Sequence, residues 1–217
     1  MLQDLVEGRV VASDALDALA PRYLIAVVSF AGATSDCSAL VEAAGPGVLT
    51  ARLDPGVVLL VPDFDAARTQ RVVERLARCV GDRGWLATAG RPAAEVFQGF
   101  TEAADVLRLV AAGRRPCGAY TISDVLIEYA ATRHARVVEK LVAVIKPLRA
   151  HAVLWETLTA LVDADYSRHK AARRLYVHRT TVDYRLRRIT ELTGCDTASS
   201  RGLQILATAL IAHAVNG

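Results

Sequence analysis

The stretch from residue 167 to residue 194 constrains this chain most, because it combines dense positive charge with the apolar spacing of two short helices. Between residues 167 and 190, eight side chains are Lys or Arg and one, Asp183, is acidic, so the stretch carries +7. The whole chain carries +3, which leaves −4 on the remaining residues. A basic island on a mildly acidic body is typical of a protein that meets phosphate backbones with one surface. The eight basic residues are Arg168, Lys170, Arg173, Arg174, Arg179, Arg185, Arg187 and Arg188.

The first half of this stretch has the pattern of a short amphipathic helix. Ser167 can act as the N-cap, because its hydroxyl can accept a hydrogen bond from a free amide of the first turn. Ala171, Ala172 and Leu175 would then form one apolar face. Residues 176–179 interrupt the pattern without glycine or proline, which predicts a tight turn between two helices.

The second half predicts a longer helix whose two faces differ sharply. Thr180 or Thr181 can cap its start, and Gly194 has the position of a residue that ends a helix in the left-handed conformation. Val182, Leu186 and Ile189 recur at helical spacing and would share one buried stripe. Two short helices joined in this way predict a helix-turn-helix, whose second helix enters the major groove. The opposite, outward face would carry Thr180, Tyr184, Arg187, Arg188 and Glu191.

The order and spacing of these residues resemble the C-terminal, Fis-like helix-turn-helix of the PucR/CdaR family of bacterial transcriptional regulators. The sequence departs from the family pattern at Thr180, where Asn is common, and at Asp183, where Arg is frequent. Both positions lie near the groove-facing end of the second helix, so the base preference of relatives does not transfer. The matching residues are Ala171, Ala172, Leu175, Val177, His178, Arg179, Thr181, Val182, Tyr184, Arg185, Leu186, Ile189, Leu192, Thr193 and Gly194.

The resemblance places Arg179, Thr181 and Tyr184 at the major groove, and helical geometry adds Thr180. Arginines later in the helix are better suited to phosphates or flanking bases. Asp183 could accept from a cytosine amino group or cap the start of the helix. A basic helix can also be only a solvated or protein-docking face, which is the competing interpretation. The predicted DNA-binding set is Ser167, Lys170, His178, Arg179, Thr180, Thr181, Tyr184, Arg185, Arg187 and Arg188.

Composition limits the other classes of function. No run approaches the ~18 uninterrupted apolar residues of a membrane helix, and the N-terminus lacks the basic region of a signal peptide. The four cysteines are isolated, and the five histidines show no metal-ligand spacing. We therefore expect a cytoplasmic protein with no membrane contact, no metal and no cofactor.

The chain divides into three predicted segments. Residues 1–20 form a helical leader, residues 21–132 an α/β domain, and residues 133–217 a helical region that ends in the helix-turn-helix. The α/β segment predicts the order β-α-β-β-α-β-α-β, which is the ferredoxin-like order with one added strand. This order resembles the degenerate GGDEF-like middle domain of the PucR/CdaR family. Its predicted strands are 23–30, 48–53, 57–61, 85–89 and 118–122, and its helices are 37–44, a helix capped by Asp63 or Asp65 that ends near 80, and 93–112.

The middle domain lacks the residues of a nucleotide cyclase. In catalytic GGDEF domains the hairpin carries an acidic signature, and carboxylates hold two cations against the triphosphate. Here the hairpin turn contains only Asp54 beside Pro55, and Ser29-Phe30-Ala31-Gly32 closes the first strand. No phosphate-binding loop, dinucleotide fingerprint, nucleophile elbow or zinc-protease motif occurs elsewhere. We therefore expect no enzymatic activity.

The sequence as a whole predicts a sequence-specific DNA-binding transcriptional regulator. One helix-turn-helix reads few base pairs, so we expect a homodimer or higher assembly on an inverted or direct repeat. The family resemblance implies a small-molecule effector and control of a catabolic or secondary-metabolic operon. It also implies that the leader follows a sensory domain, and whether the chain is a short member or a piece of a longer one stays open. The alternative function is a non-catalytic metabolite or nucleotide sensor whose helical tail docks a protein partner.

Overall fold

The computed structural model describes residues 20–32, 37–63 and 65–216. The predicted leader helices therefore lie outside the described residues. The described chain separates into two compact units, one formed by residues up to 111 with 115–126, the other by 112–114 with 127–216. None of the helices in the described ranges is long and apolar enough to cross a membrane.

The first unit is a five-stranded sheet with helices, in the predicted order of elements. Its strands are β1 (Arg22–Phe30), β2 (Leu49–Leu53), β3 (Gly56–Pro62), β4 (Gly84–Pro92) and β5 (Gly118–Tyr120). Its helices are α1 (Cys37–Ala44), α2 (Ala66–Val80) and α3 (Val96–Ala112), and short 3-10 turns cover Gly81–Arg83 and Ala93–Glu95. The predicted α/β class and the β-α-β-β-α-β-α-β order are confirmed.

The sheet has the strand order β2-β3-β1-β4-β5, with β1 at its centre. Strand β1 pairs antiparallel with both β3 and β4, and residues 23–28 are all buried, as a continuous apolar run predicts. Strand β4 is longer than predicted, because β1 pairs along its full length from Arg22 opposite Pro92 to Phe30 opposite Gly84. Strand β5 joins parallel to β4 and is shorter than predicted, because Thr121 and Asp124 form a capping box that starts a helical turn.

Helices cover both faces of this sheet. One core cluster packs α1 and α2 against alternate strand residues such as Leu24, Ala26 and Leu59. On the other face, Gly99 of α3 lies so close to Ile25 that a Cβ there would be 2.7 Å from its Cδ1. Of the two predicted caps of α2, Asp63 and Asp65, it is Asp65 whose carboxylate accepts from the amides of two first-turn residues.

The hairpin between β2 and β3 turns at Asp54 and Pro55, as predicted. Gly56 is required there, because a Cβ would lie 2.0 Å from the carbonyl oxygen of Val28. The carboxylate of Asp54 accepts from Arg108 of α3 at 2.9 Å and is 86% exposed. Asp54 is thus a surface turn residue paired with an arginine.

The second unit contains only helices in its described part. They are α4 (Leu126–Thr132, which follows a 3-10 turn at Ile122–Val125), α5 (Ala135–Ile145), α6 (Ala152–Asp163), α7 (Arg168–Arg174), α8 (Arg179–Thr193) and α9 (Ser200–Asn216). A 3-10 segment, Lys146–Ala150, includes Pro147 and ends α5, as expected for proline after a helix. Helix α9 packs against α5 and closes the apolar side of the helix-turn-helix. The core of the unit combines Leu158, Leu161, Ala171, Val182, Leu186, Ile189 and Leu206.

Candidate nucleic-acid interface

The turn between α7 and α8 is held by main-chain hydrogen bonds rather than by glycine. Ser167 caps α7 as predicted, since its Oγ accepts from the amide of Lys170 at 3.4 Å. After Arg174 the chain turns, and the amide of Val177 donates back to the carbonyl of Ala172 at 3.0 Å. Tyr176 sits at the apex in the left-handed conformation, with φ of 53° and its side chain 96% exposed. The tight turn expected from the sequence is present.

The start of α8 differs from the prediction. Its N-cap is His178, not Thr180 or Thr181, which both lie within the first turn of the helix. His178 has an extended conformation, and its Nδ1 accepts from the amide of Thr180 at 3.4 Å and lies 2.9 Å from the Thr180 hydroxyl. Histidine is not among the preferred capping residues, so the sequence pattern favoured the threonines. The predicted end is confirmed, because Gly194 has φ of 71°.

The two faces of α8 separate as predicted. Val182, Leu186 and Ile189 are at most 1% exposed and pack into the core of the second unit. The outward side chains include Tyr184, which is 64% exposed, and Arg179, which is 65% exposed. This face is cationic, although Glu191 pairs with Arg188 at 2.6 Å. The exposed residues of the predicted set are Lys170, His178, Arg179, Thr180, Tyr184, Arg187 and Arg188.

Three members of the predicted set are less accessible. Ser167 is half-buried and its hydroxyl caps α7. Thr181 is half-buried at the flank of the outward face. Arg185 is half-buried, and its Nη1 donates to the hydroxyl of Thr157 in α6 at 3.2 Å. DNA contacts by all ten residues of the predicted set stay predictions, and the guanidinium of Arg185 is already engaged by a hydrogen bond inside the domain.

Asp183 has a different partner from those the sequence indicated. It does not cap the helix, since His178 does so. Its Oδ1 accepts from Nη1 of Arg168 in α7 at 2.9 Å, and its Oδ2 lies 3.8 Å from Nε of Arg179 one turn earlier. The carboxylate therefore bridges an arginine of α7 and an arginine of α8.

Thr197 connects the loop after α8 to the helix, a role the sequence did not reveal. It is 5% exposed, and its Oγ1 donates to the carbonyl of Leu186 at 3.2 Å. Its amide donates to the hydroxyl of Thr190 at 3.1 Å, and its carbonyl accepts from Nη2 of Arg168 at 3.4 Å. A lone threonine among small polar residues gives no sequence pattern from which this role could be predicted. The loop nevertheless fixes both α8 and Arg168.

Among the described residues, no group of three or more His, Cys, Asp or Glu side chains is placed to hold a metal ion. The four cysteines are unpaired thiols, each half-buried. The outward face of α8 presents hydrogen-bond donors and positive charge, which suit phosphate oxygens and base edges.

Comparisons with known proteins agree with this geometry. Residues 154–212 match the family described as the PucR C-terminal helix-turn-helix domain, and residues 18–109 match the GGDEF-like domain family. Uncharacterized proteins of Mycobacterium tuberculosis and Mycobacterium bovis are 40% identical to the chain over 74 residues, which is 34% of this chain. The matched region spans only 18% of the length of these relatives.

A solved structure is also similar to the whole chain. It is the crystal structure of a regulator of polyketide synthase expression from Bifidobacterium adolescentis, with 21% sequence identity and a TM-score of 0.49. The similarity covers 98% of this chain and 95% of that one. The helix-turn-helix match includes all of α7 and α8, and the GGDEF-like match includes β1 to β4. These two family matches identify the chain as a member of the PucR/CdaR family, with a GGDEF-like domain ahead of a PucR C-terminal helix-turn-helix domain.

Proposed function

We propose that the chain binds a specific double-stranded DNA site by placing the outward face of α8 in the major groove. The observation that carries this proposal is the division of α8, whose apolar stripe is buried while Arg179, Thr180, Tyr184, Arg187 and Arg188 are exposed. A helix docked by one face and cationic on the other fits a groove lined by phosphates. Residues near the start of α8 would read bases, and those further along would hold the backbone.

Selection of bound duplexes from a random pool, followed by a salt titration on the best duplex, tests this function. We expect an enriched repeat and a steep loss of affinity with salt, because neutralised phosphates release condensed counterions. With about six phosphate contacts, the affinity should fall about 10³-fold between about 50 and 200 mM salt. Salt-sensitive binding without an enriched sequence would contradict specific recognition. If no duplex binds even at low salt, a protein partner becomes the better explanation of the cationic face.

The assembly that we propose is a homodimer or a higher oligomer on an inverted or direct repeat. A single recognition helix contacts too few base pairs for a unique site, and dimers solve this by binding two half-sites about one helical turn apart. The enriched duplex would reveal the arrangement through its spacing, with half-site centres about 10–10.5 base pairs or a multiple apart. A single, unrepeated half-site among the selected duplexes would contradict a symmetric dimer.

The regulatory setting follows from the family rather than from any residue of the site. We propose a cytoplasmic regulator that responds to a small molecule and controls a catabolic or secondary-metabolic operon. Transcript profiling after deletion of the gene would identify the operon. If the transcripts that change belong to neither class, this part of the proposal is wrong.

The GGDEF-like domain serves, we propose, as a non-catalytic module. A cyclase needs carboxylates that hold two divalent cations, whereas Asp54 at the hairpin is exposed and paired with Arg108 at 2.9 Å. Magnesium or manganese should therefore leave the melting temperature of the domain unchanged, since a ligand that binds the folded state raises it. A concentration-dependent rise with either metal would contradict this assignment.

A further inference from the structure

We propose that Asp183, held in place by Arg168, orients the guanidinium of Arg179 and thereby sets the preference for one base pair. This inference rests on the proposed function, because it assigns a positioning residue to the same DNA-reading face.

The carboxylate of Asp183 is anchored by an arginine of the preceding helix, α7. Its Oδ1 accepts from Nη1 of Arg168 at 2.9 Å, and Nη2 of the same arginine donates to the carbonyl of Thr197 at 3.4 Å. Asp183 and Arg168 are both about one third exposed. Because Thr197 is itself buried and bonded to α8, Arg168 is attached to a fixed point of the domain. Asp183 is therefore not free to rotate toward a base.

The second oxygen of this anchored carboxylate faces the exposed arginine. Oδ2 of Asp183 lies at ion-pair distance, 3.8 Å, from Nε of Arg179. Neither Nη atom of Arg179 has a hydrogen-bond partner among the described residues. Occupying the Nε side of a planar guanidinium leaves both Nη groups available as the pair of donors that suits O6 and N7 of guanine. The ion pair thus holds a long, 65% exposed side chain near one orientation before DNA arrives.

The negative charge of Asp183 lowers the affinity for DNA, although its ion pair with Arg179 favours base discrimination. A carboxylate on the face that approaches phosphates repels them and weakens binding to every duplex alike. Asp183 would therefore lower the affinity for every duplex and, by orienting Arg179, raise the ratio of affinities between the preferred site and other sites. Removing Asp183 should therefore change affinity and discrimination in opposite directions, which a purely structural contact between α7 and α8 would not do.

The experiment compares two variants of the full chain, Asp183→Asn and Arg168→Met, which change the net charge in opposite directions. Asp183→Asn removes the carboxylate that pairs with Arg179, and Arg168→Met removes the anchor of that carboxylate. The first raises the net charge of the face by one and the second lowers it by one. The dissociation constant is measured for the best selected duplex, for the same duplex changed at the base pair that Arg179→Ala identifies, and for an unrelated duplex. Melting temperatures establish that each variant is folded.

We expect both variants to lose about three- to tenfold of the discrimination at that base pair. For the unrelated duplex, Asp183→Asn should bind several-fold tighter and Arg168→Met several-fold weaker, because the first raises the net charge of the face and the second lowers it. In an Arg179→Ala background, Asp183→Asn should not reduce discrimination further. The inference is overturned if the wild-type chain selects a specific duplex but both variants discriminate as well as it does. If the wild-type chain selects none, the proposed function fails, and this inference with it.

Discussion

Leu186→Ala is expected to lower the free energy of unfolding of the helical unit by about 2–5 kcal/mol. Leu186 is 1% exposed and lies in the cluster where α8 meets α6, α7 and α9. Truncation removes buried methyl groups and leaves a cavity that the surrounding helices can fill only in part. The backbone carbonyl of Leu186 still accepts from Thr197, so the change acts through packing alone.

The two tryptophans allow this loss to be measured in one domain at a time. Trp155 lies in the helical unit, where it packs edge-on against His213 at 5.3 Å, and Trp85 lies in the sheet unit. In a Trp85→Phe background, urea unfolding followed by fluorescence reports on the helical unit. Arg187→Ala is the matched control, because the neighbouring side chain is exposed and alanine is a good helix former. An unfolding midpoint for Leu186→Ala equal to that of Arg187→Ala would contradict the assigned core.

Arg179→Ala is expected to reduce discrimination at one base pair by about 1–3 kcal/mol, because a guanidinium paired with guanine has two donors that no wrong base satisfies. Arg179 lies in the first turn of α8, and its Nη groups are free among the described residues. Competition binding with duplexes changed one base pair at a time measures the effect. The loss should be confined to one position of each half-site.

Arg187→Ala provides the comparison, since it removes the same charge from the same helix two turns later. It should weaken binding to all duplexes nearly equally. The slope of the logarithm of the binding constant against the logarithm of the salt concentration should become shallower by about one, as after loss of a phosphate contact. A uniform loss for Arg179→Ala would show that this arginine holds the backbone. An unchanged preference would mean that another part of α8 reads the bases.

Much of the sheet unit was predictable, because its signals are local. A continuous apolar run gave β1, and a turn tripeptide between two apolar runs gave the hairpin of β2 and β3. The ends of elements were harder, since they depend on pairing with distant residues. Strand β4 extends to Pro92 only because β1 lies alongside it, and β5 stops where Thr121 and Asp124 cap a new turn.

The buried stripe of α8 was also predictable, because helical spacing alone places Val182, Leu186 and Ile189 on one side. The polar contacts around it were not. His178 is a rare kind of cap, and Arg185 reaches Thr157, which is 28 residues away in the sequence. Asp183 meets Arg168 only after α7 and α8 have packed together. Polar partners brought together by tertiary structure leave no periodic signal.

The position of Tyr176, at the apex of the turn, places few demands on the side chain that occupies it. A left-handed conformation costs a residue with a Cβ roughly 1–2 kcal/mol, and a ring that is 96% exposed recovers almost none of this through burial. The turn is closed by backbone hydrogen bonds, from the amide of Tyr176 to the carbonyl of Arg173 at 3.2 Å and from the amide of Val177 to the carbonyl of Ala172 at 3.0 Å, so it does not depend on a contact of the tyrosine ring. Residues that accept a positive φ, such as glycine or asparagine, can therefore replace Tyr176 with little loss of stability, whereas proline cannot adopt this conformation and would also remove the hydrogen bond to Arg173. The position can change the outer edge of the motif within that limit.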